Sequence, residues 1–327
     1  MKNSLTPDSI VSDYINGKLN MKSALDLLIS ILEKSDNPEM RCKSILAFEK
    51  VKNYDEKVLD YVENSILSDE NALVRAAAVK IIGQTDLKNR IKTLSWVIQH
   101  DRSPIVIKSI IDVTQKEKLK QPNLISEGLS NWIRDFSKFL GIVLNEARFF
   151  LNVEAFFSQF INDNEITSRT FDFYKKLSSI NDDPWLIIKN EHVELLNFNF
   201  FNWYFLKKNQ DILDSYLKVK NLFSLLHFYR KFDTNAFFSI ELLGSIRNFE
   251  FLKRLSLKNN ELREFPVFLT EMLTIRHLDL SHNFINEIPE SISNLKSLKT
   301  LKLTNNNIHE IPEGSKFFLQ SLKKFEY

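Results

Sequence analysis

The sequence predicts an α+β repeat protein, in which an N-terminal helical solenoid is joined to a C-terminal solenoid built on a parallel β-sheet. Three observations predict it. Apolar helical segments recur in the first third at steps of 34 and 32 residues, and a Leu-x-Leu frame recurs every 23 residues from Leu252 onward. Gly and Pro are scarce, at 6 and 8 of 327 residues, about a third of their usual combined share of roughly 12%. That shortage excludes Gly-rich phosphate loops, collagen, flexible linkers and a turn-dense all-β sandwich. A hydrophobic content of 43% with 26% charged residues suits a folded chain rather than a disordered one. The length allows roughly two domains.

Residues 1–120 carry the first repeat. Asn37, Asn71 and Ser103 stand before apolar helices and can cap their open backbone N–H groups, while Pro38 and Pro104 lose no needed donor at the first helical position. The helices that follow carry Ile45, Leu46 and Phe48; then Val74, Ala77, Ala78, Ile81 and Ile82; then Val106, Ile110, Ile111 and Val113. Partner helices lie between them, at Val58–Leu67 and at Ile91, Leu94, Trp96, Val97 and Ile98. Paired helices at this period, with Ala76, Ala77 and Ala78 allowing close contact, resemble HEAT-like repeats over roughly residues 20–118. The family's Asp-and-Arg pattern maps onto Asp36, Asp69, Asp101, Arg41 and Arg75. Ile107 stands where a third Arg would be, so the charge ladder is expected to be incomplete.

Residues 121–184 are read as an aromatic-rich helical junction that continues the stack and seals the sheet. One helical stripe runs Leu129, Trp132, Ile133, Phe136, Phe139, Leu140; a second runs Phe149, Phe150, Val153, Phe156, Phe157, Phe160; Phe171, Phe173, Tyr174 and Leu177 make a shorter third. Twenty of the 27 Phe fall between Phe136 and Phe251. Aromatic stripes at this spacing are core by default, and an apolar ligand pocket is the alternative.

Residues 185–327 carry the second repeat, irregular over 185–250 and regular over 251–327. The frame Leu252, Leu255, Leu257, Asn260, Leu262, Phe265-Pro266 returns as Ile275, Leu278, Leu280, Asn283, Ile285, Ile288-Pro289. It returns again as Leu298, Leu301, Leu303, Asn306, Ile308, Ile311-Pro312. Alternation in Leu-x-Leu buries both leucines and exposes the residue between them. Asn260, Asn283 and Asn306 suit a ladder of buried amides bonded to turn backbone. These residues resemble the leucine-rich repeat family, in its 23-residue Ile-Pro class, which also occurs in Ras-suppressor-like and phosphatase-regulator-like proteins. Weaker copies at Val193–Phe198 and Phe223–Phe228 fit the strand frame and are read as irregular leading repeats. Leu322–Tyr327 begins a further strand with no capping repeat after it, which predicts a bare sheet edge open to self-association or to a covering partner.

Chemistry is hard to find. No Gly-x-Gly-x-x-Gly, Gly-Lys-Ser/Thr or His-Glu-x-x-His motif occurs, and the six histidines are scattered. The reading is a chain that is not an enzyme and takes no cofactor or metal. Lys plus Arg is 44 and Asp plus Glu 42, giving +2, with no strong pull toward nucleic acid or an anionic membrane. The single Cys42, a polar N-terminus and the lack of an apolar run near the roughly 20 residues of a membrane span point to the cytoplasm. The strand alternation exposes Arg254, Ser256 and Lys258; His277, Asp279 and Ser281; Thr300, Lys302 and Thr304; then Lys324 and Glu326. The leucine-rich resemblance implies that this concave, mildly basic face binds a protein partner, with a small GTPase or a phosphatase suggested by family analogy alone. Glu264, Glu287 and Glu310 form a second column on the descending flank, read first as a solubility device, with a basic partner as the alternative. Two alternatives stay open: a self-assembling structural protein, and an enzyme-associated relative of the HEAT-like chromophore lyases.

Overall fold

Short polar side chains set the helix starts of the first third. In a computed structural model, which describes residues 5–51, 55–85, 87–116, 123–157, 186–197, 245–260 and 262–327, Thr6 and Ser9 form a reciprocal capping box at α1 (Pro7–Ile15). Asn20 caps α2 (Met21–Lys34) through Ser23 N–H. Asn37 accepts from Glu39 N–H at 2.9 Å at the start of α3 (Pro38–Val51), and Asp55 caps α4 (Glu56–Ser68). Asn71 accepts from Leu73 N–H at 2.9 Å at α5 (Ala72–Ile82). Each such cap contributes about 1 kcal/mol. Two helices follow, α6 (Leu87–His100) and α7 (Pro104–Lys116).

The helices stack in two layers. One layer is α1, α3, α5, α7 in succession and the other is α2, α4, α6, with α2 against α3 and α4 against α5. Helix α5, packed on three sides, is buried nearly all round, and Ala76, Ala77 and Ala78 let its neighbours approach. Phe48 of α3 is fully buried, worth roughly 2–3 kcal/mol of transfer free energy. Trp96 of α6 departs from the expected core stripe: it is 47% exposed and stacks on His100 at 4.2 Å.

Charged rungs tie one helical repeat to the next. Arg41 grips Asp69 with two bonds, Nε to Oδ2 at 2.8 Å and Nη2 to Oδ1 at 3.0 Å, and its Nη1 donates to the Ser35 carbonyl at 2.9 Å. One repeat later Arg75 grips Asp101 at 2.7 and 3.2 Å, and its Nη1 donates to the Asp69 carbonyl at 2.9 Å. Both pairs are nearly excluded from water, where two-point geometry matters most. The absent third Arg has a substitute. The Trp132 indole Nε1 donates to the Asp101 carbonyl at 3.1 Å, the same place in the repeat that Arg75 Nη1 fills at Asp69.

The chain divides into two compact units, Met1–Arg134 with Glu154–Thr167, and Asp135–Val153 with Ser168–Tyr327. Helices α8 (Asn123–Leu140) and α9 (Leu144–Phe157) each contribute to both. In the second unit Phe149 and Phe150 of α9 meet Phe249 edge-to-face at 5.3 and 6.2 Å, all three buried. The stripe on α8 is less regular than its spacing predicts, since Phe139 is 60% exposed. The third expected stripe, at 171–177, lies outside the described residues.

The sheet of the second unit has the order β1-β2-β3-β4-β5-β6. Strands β1 (Leu186–Lys189) and β2 (His192–Asn197) form an antiparallel hairpin turned at Asn190 and Glu191, both at positive φ. From β2 on, all neighbours are parallel: β3 (Arg254–Ser256), β4 (His277–Asp279), β5 (Thr300–Lys302) and β6 (Lys324–Glu326). Helix α9 seals the hairpin side. The Val143 amide donates to the Glu191 carbonyl at 2.9 Å, and the fully buried Glu146 accepts from Val193 N–H at 2.8 Å and meets His192 Nδ1 at 3.2 Å. Burial pushes the Glu146 carboxyl above the usual range, against the pull of Val193 N–H and His192.

The Val193 copy is β2, which hydrogen-bonds directly to β3; the Phe223–Phe228 copy lies outside the described residues. The outer connections follow each Pro step, as short 3₁₀ turns at Val267–Glu271 and Glu290–Asn294 and as a full helix, α10 (Glu313–Ser321), after Pro312. The connection through this helix is one residue longer than the one before it, so Thr300 pairs with Lys324 at a step of 24 where His277 pairs with Thr300 at 23.

Gly83 ends α5 with ordinary helical φ, so its value is space: an added Cβ would sit 2.4 Å from Val113 Cγ1 of α7. Val113 is β-branched and cannot swing aside. Gly83→Ala is therefore expected to lower stability by about 1–3 kcal/mol in denaturant unfolding. Val113→Ala should cost less in that background than in the native chain.

Candidate interaction face of the parallel sheet

Leucine alternation decides which side chains the strands present. Leu255, Leu278 and Leu301 are buried at 1%, 0% and 0% exposure, so their neighbours on either side stand on the opposite face. Cross-strand register then aligns two rows, Arg254, His277, Thr300, Lys324 and Ser256, Asp279, Lys302, Glu326. Lys258, Ser281 and Thr304 follow just beyond the strand ends, where Asn259 N–H donates to the Ser281 carbonyl at 3.1 Å and His282 N–H to the Thr304 carbonyl at 2.8 Å. Arg254 and Lys324 are exposed, and Ser256, Lys258, His277, Asp279, Thr300, Lys302 and Thr304 are half-buried.

Ser281 is the exception. Expected on the face, it is 3% exposed, because Asp279 Oδ1 holds both its amide at 3.0 Å and its hydroxyl at 2.6 Å. Asp279 also pairs with Lys302 across the strands at 3.6 Å, and Lys324 pairs with Glu326 at 3.0 Å. His277 Nδ1 lies 3.2 Å from Thr300 Oγ1. Burial and the positive charges of Arg254, Lys299, Arg276 and Lys323 push the His277 pKa below the ordinary histidine value.

Beneath the face, the asparagine column links repeats rather than residues of one turn. Asn283 Oδ1 accepts from the amides of Asn260 at 2.8 Å and Leu262 at 3.1 Å, in the preceding repeat, while its Nδ2 donates to the carbonyls of Leu257 at 3.0 Å and Leu280 at 2.8 Å. Asn306 repeats this with Ile285 N–H at 2.9 Å and the Leu280 and Leu303 carbonyls at 2.9 and 2.7 Å. Asn260 is equally buried; residues 198–244, ahead of its repeat, lie outside the described residues. Each ladder residue follows one in the left-handed region: Asn259, His282 and Asn305, at φ 62, 57 and 58°. Asn tolerates that conformation and His does so less commonly, so His282 serves turn geometry, and Asn305 Nδ2 lies 3.1 Å from its ring.

One column falls outside the alternation pattern and was not among the expected face residues. Lys253, Arg276, Lys299 and Lys323 occupy the position just before each strand, joined by Arg276 N–H to the Lys253 carbonyl at 2.8 Å and Lys299 N–H to the Arg276 carbonyl at 2.8 Å. Its signal in the sequence is the 23-residue recurrence of a basic residue.

Other chemistry is sparse. Among the described residues no group of three or more His, Cys, Asp or Glu side chains could hold a metal ion, and no helix is long and apolar enough to cross a membrane. Burial raises the Cys42 thiol pKa, and its Sγ lies 3.8 Å from the Leu73 carbonyl, the opposite of what an activated nucleophile needs.

Replacing Asn283 by Ala strands two amides and two carbonyls in the core, so a loss of about 3 kcal/mol or more is expected in denaturant unfolding. The exposed Asn286→Ala should stay within about 0.5 kcal/mol. For His277, the unfolded chain binds the proton more readily than the folded one. Its contribution is present above the ordinary value of about 6.5 and is lost as pH falls below it. His277→Gln should flatten the fall of the melting midpoint over that window.

Comparison with known proteins agrees with this geometry in two places. A family model described as Leucine Rich repeats (2 copies) matches residues 274–317, and one described as HEAT repeats matches residues 16–80. No curated protein and no solved structure matches the chain. Both kinds of repeat are typical of protein-interaction scaffolds and are generally non-enzymatic. The chain thus carries HEAT repeats in its N-terminal part and leucine-rich repeats in its C-terminal part, within one α+β repeat architecture.

Proposed function

We propose that the chain is a non-enzymatic interaction scaffold that binds a protein partner on the strand face of its leucine-rich sheet. The observation that carries the reading is the pair of aligned rows, Arg254-His277-Thr300-Lys324 and Ser256-Asp279-Lys302-Glu326. Charged and hydroxyl groups stand at strand spacing over a leucine floor that is 0–1% exposed. Such a surface is rigid before binding, so little ordering entropy is lost in docking. Its mixed signs favour register and partner choice over raw affinity. A half-buried, unactivated Cys42 is compatible with a reducing cytoplasmic setting.

Arg254, Lys258 and Lys302 are positive groups spread over the first and third strands of the expected face. The triple variant Arg254→Glu, Lys258→Glu, Lys302→Glu is expected to lose the most strongly captured protein in a crosslinking pull-down from the native cell, while melting near the parent temperature. Unchanged capture would remove the face from the mechanism.

A further inference from the structure

Resting on that reading, we propose that the strand-start edge of the sheet, with Arg276, Lys299 and Lys323 beside Arg254, docks an acidic polypeptide segment of the partner. The row is built into the hydrogen-bond ladder. Arg276 N–H donates to the Lys253 carbonyl, Lys299 N–H to the Arg276 carbonyl, and Lys324 N–H to the Lys299 carbonyl at 3.1 Å. Neighbouring backbones therefore stand one strand spacing apart, about 4.8 Å. Like charges that close on adjacent strands destabilise a sheet, so the row works against folding and calls for a ligand that offsets it.

The charges differ in how they are answered. Lys253 is held by Glu194 at 2.5 Å, Lys302 by Asp279 and Lys324 by Glu326. Among the described residues none of Arg254, Arg276, Lys299 and Lys323 makes an ion pair, and all four are exposed. Their fields converge on one place, since all four act on His277.

The shape of the charge selects the ligand class. The row carries no aromatic side chain, which single-stranded nucleic acid uses for base stacking, and no apolar side chain to enter a lipid surface. On the descending flank Glu264, Glu287 and Glu310 form an exposed column of the opposite sign. A single acidic segment laid across the strands matches a narrow basic row of this kind. Carboxylates on alternate residues of an extended segment recur at about 7 Å, within reach of flexible Arg and Lys stems on successive strands.

The test is fluorescence anisotropy with a labelled oligoglutamate peptide on the full chain, alongside a labelled oligothymidylate and vesicles of phosphatidylserine in phosphatidylcholine. Binding of the peptide that weakens with salt, and falls about tenfold or more in Arg276→Glu, Lys299→Glu, is expected. The exposed control Arg263→Glu should bind as the parent does. If the reversed variant does not fold, Arg276→Gln, Lys299→Gln carries the test with a smaller loss. Saturating peptide should also raise the His277 pKa, read by imidazole proton NMR, by answering the four cations around it. No peptide binding, binding indifferent to these substitutions, or binding only of the oligonucleotide or the vesicles overturns the proposal. Loss of partner capture in the Arg254, Lys258, Lys302 variant alongside failed peptide binding would leave the face reading standing without this one. The reverse pattern would leave the basic row without the face.

Discussion

Every repeat leaves backbone polar groups at its turn, and in both halves of this chain the side chain that satisfies them also bonds to a neighbouring repeat. In the helical part Arg41 and Arg75 each bond a carboxylate one repeat ahead and a carbonyl at the start of their own. In the sheet Asn283 and Asn306 reach one repeat back to amides and carbonyls of the preceding turn. A buried polar group without a partner costs about as much as a whole helix cap contributes, or more. The period of the sequence is therefore also the period of a hydrogen-bond debt, and the stacking of leucines and alanines takes place inside spacings those bonds set.

The same regularity distributes charge. Positions that alternate with the leucines mix signs and pair internally, as Asp279 does with Lys302 and with Ser281. Positions one step earlier repeat a basic residue, and those on the descending flank repeat Glu264, Glu287 and Glu310. A solenoid turns any periodic residue into a linear array, so a chain with a net charge of only +2 presents strongly signed stripes. Net charge describes long-range steering; it says little about a surface organised in columns.

Much of the architecture was legible because repetition multiplies weak signals: three aligned asparagines and three Ile-Pro or Phe-Pro steps mark a register that one copy would not. Caps at Asn37 and Asn71 were legible because capping is local chemistry. What failed depended on neighbours. The Leu186–Ile188 run has no counterpart in the 23-residue frame, so its hairpin was invisible to periodicity. Ser281 sits where alternation exposes a side chain, yet a bond to Asp279 two residues away turns it inward. Trp96 and Phe139 share helical stripes with core residues and still face outward, because a stripe names an approximate face and only the adjoining helix fixes its width.

Trp132 gives the charge ladder a chemical ending. A guanidinium has five donors, so Arg75 can close its own turn and still hold the Asp of the next repeat. An indole has one donor, and Trp132 spends it on the Asp101 carbonyl. In the language of polymers, arginine is a bifunctional unit that lets the stack grow by another repeat, and tryptophan is a monofunctional one that terminates it. The length of the Arg–Asp array is thus written in the valence of a single side chain, and a Trp in that role on any helical repeat would mark where its ladder stops.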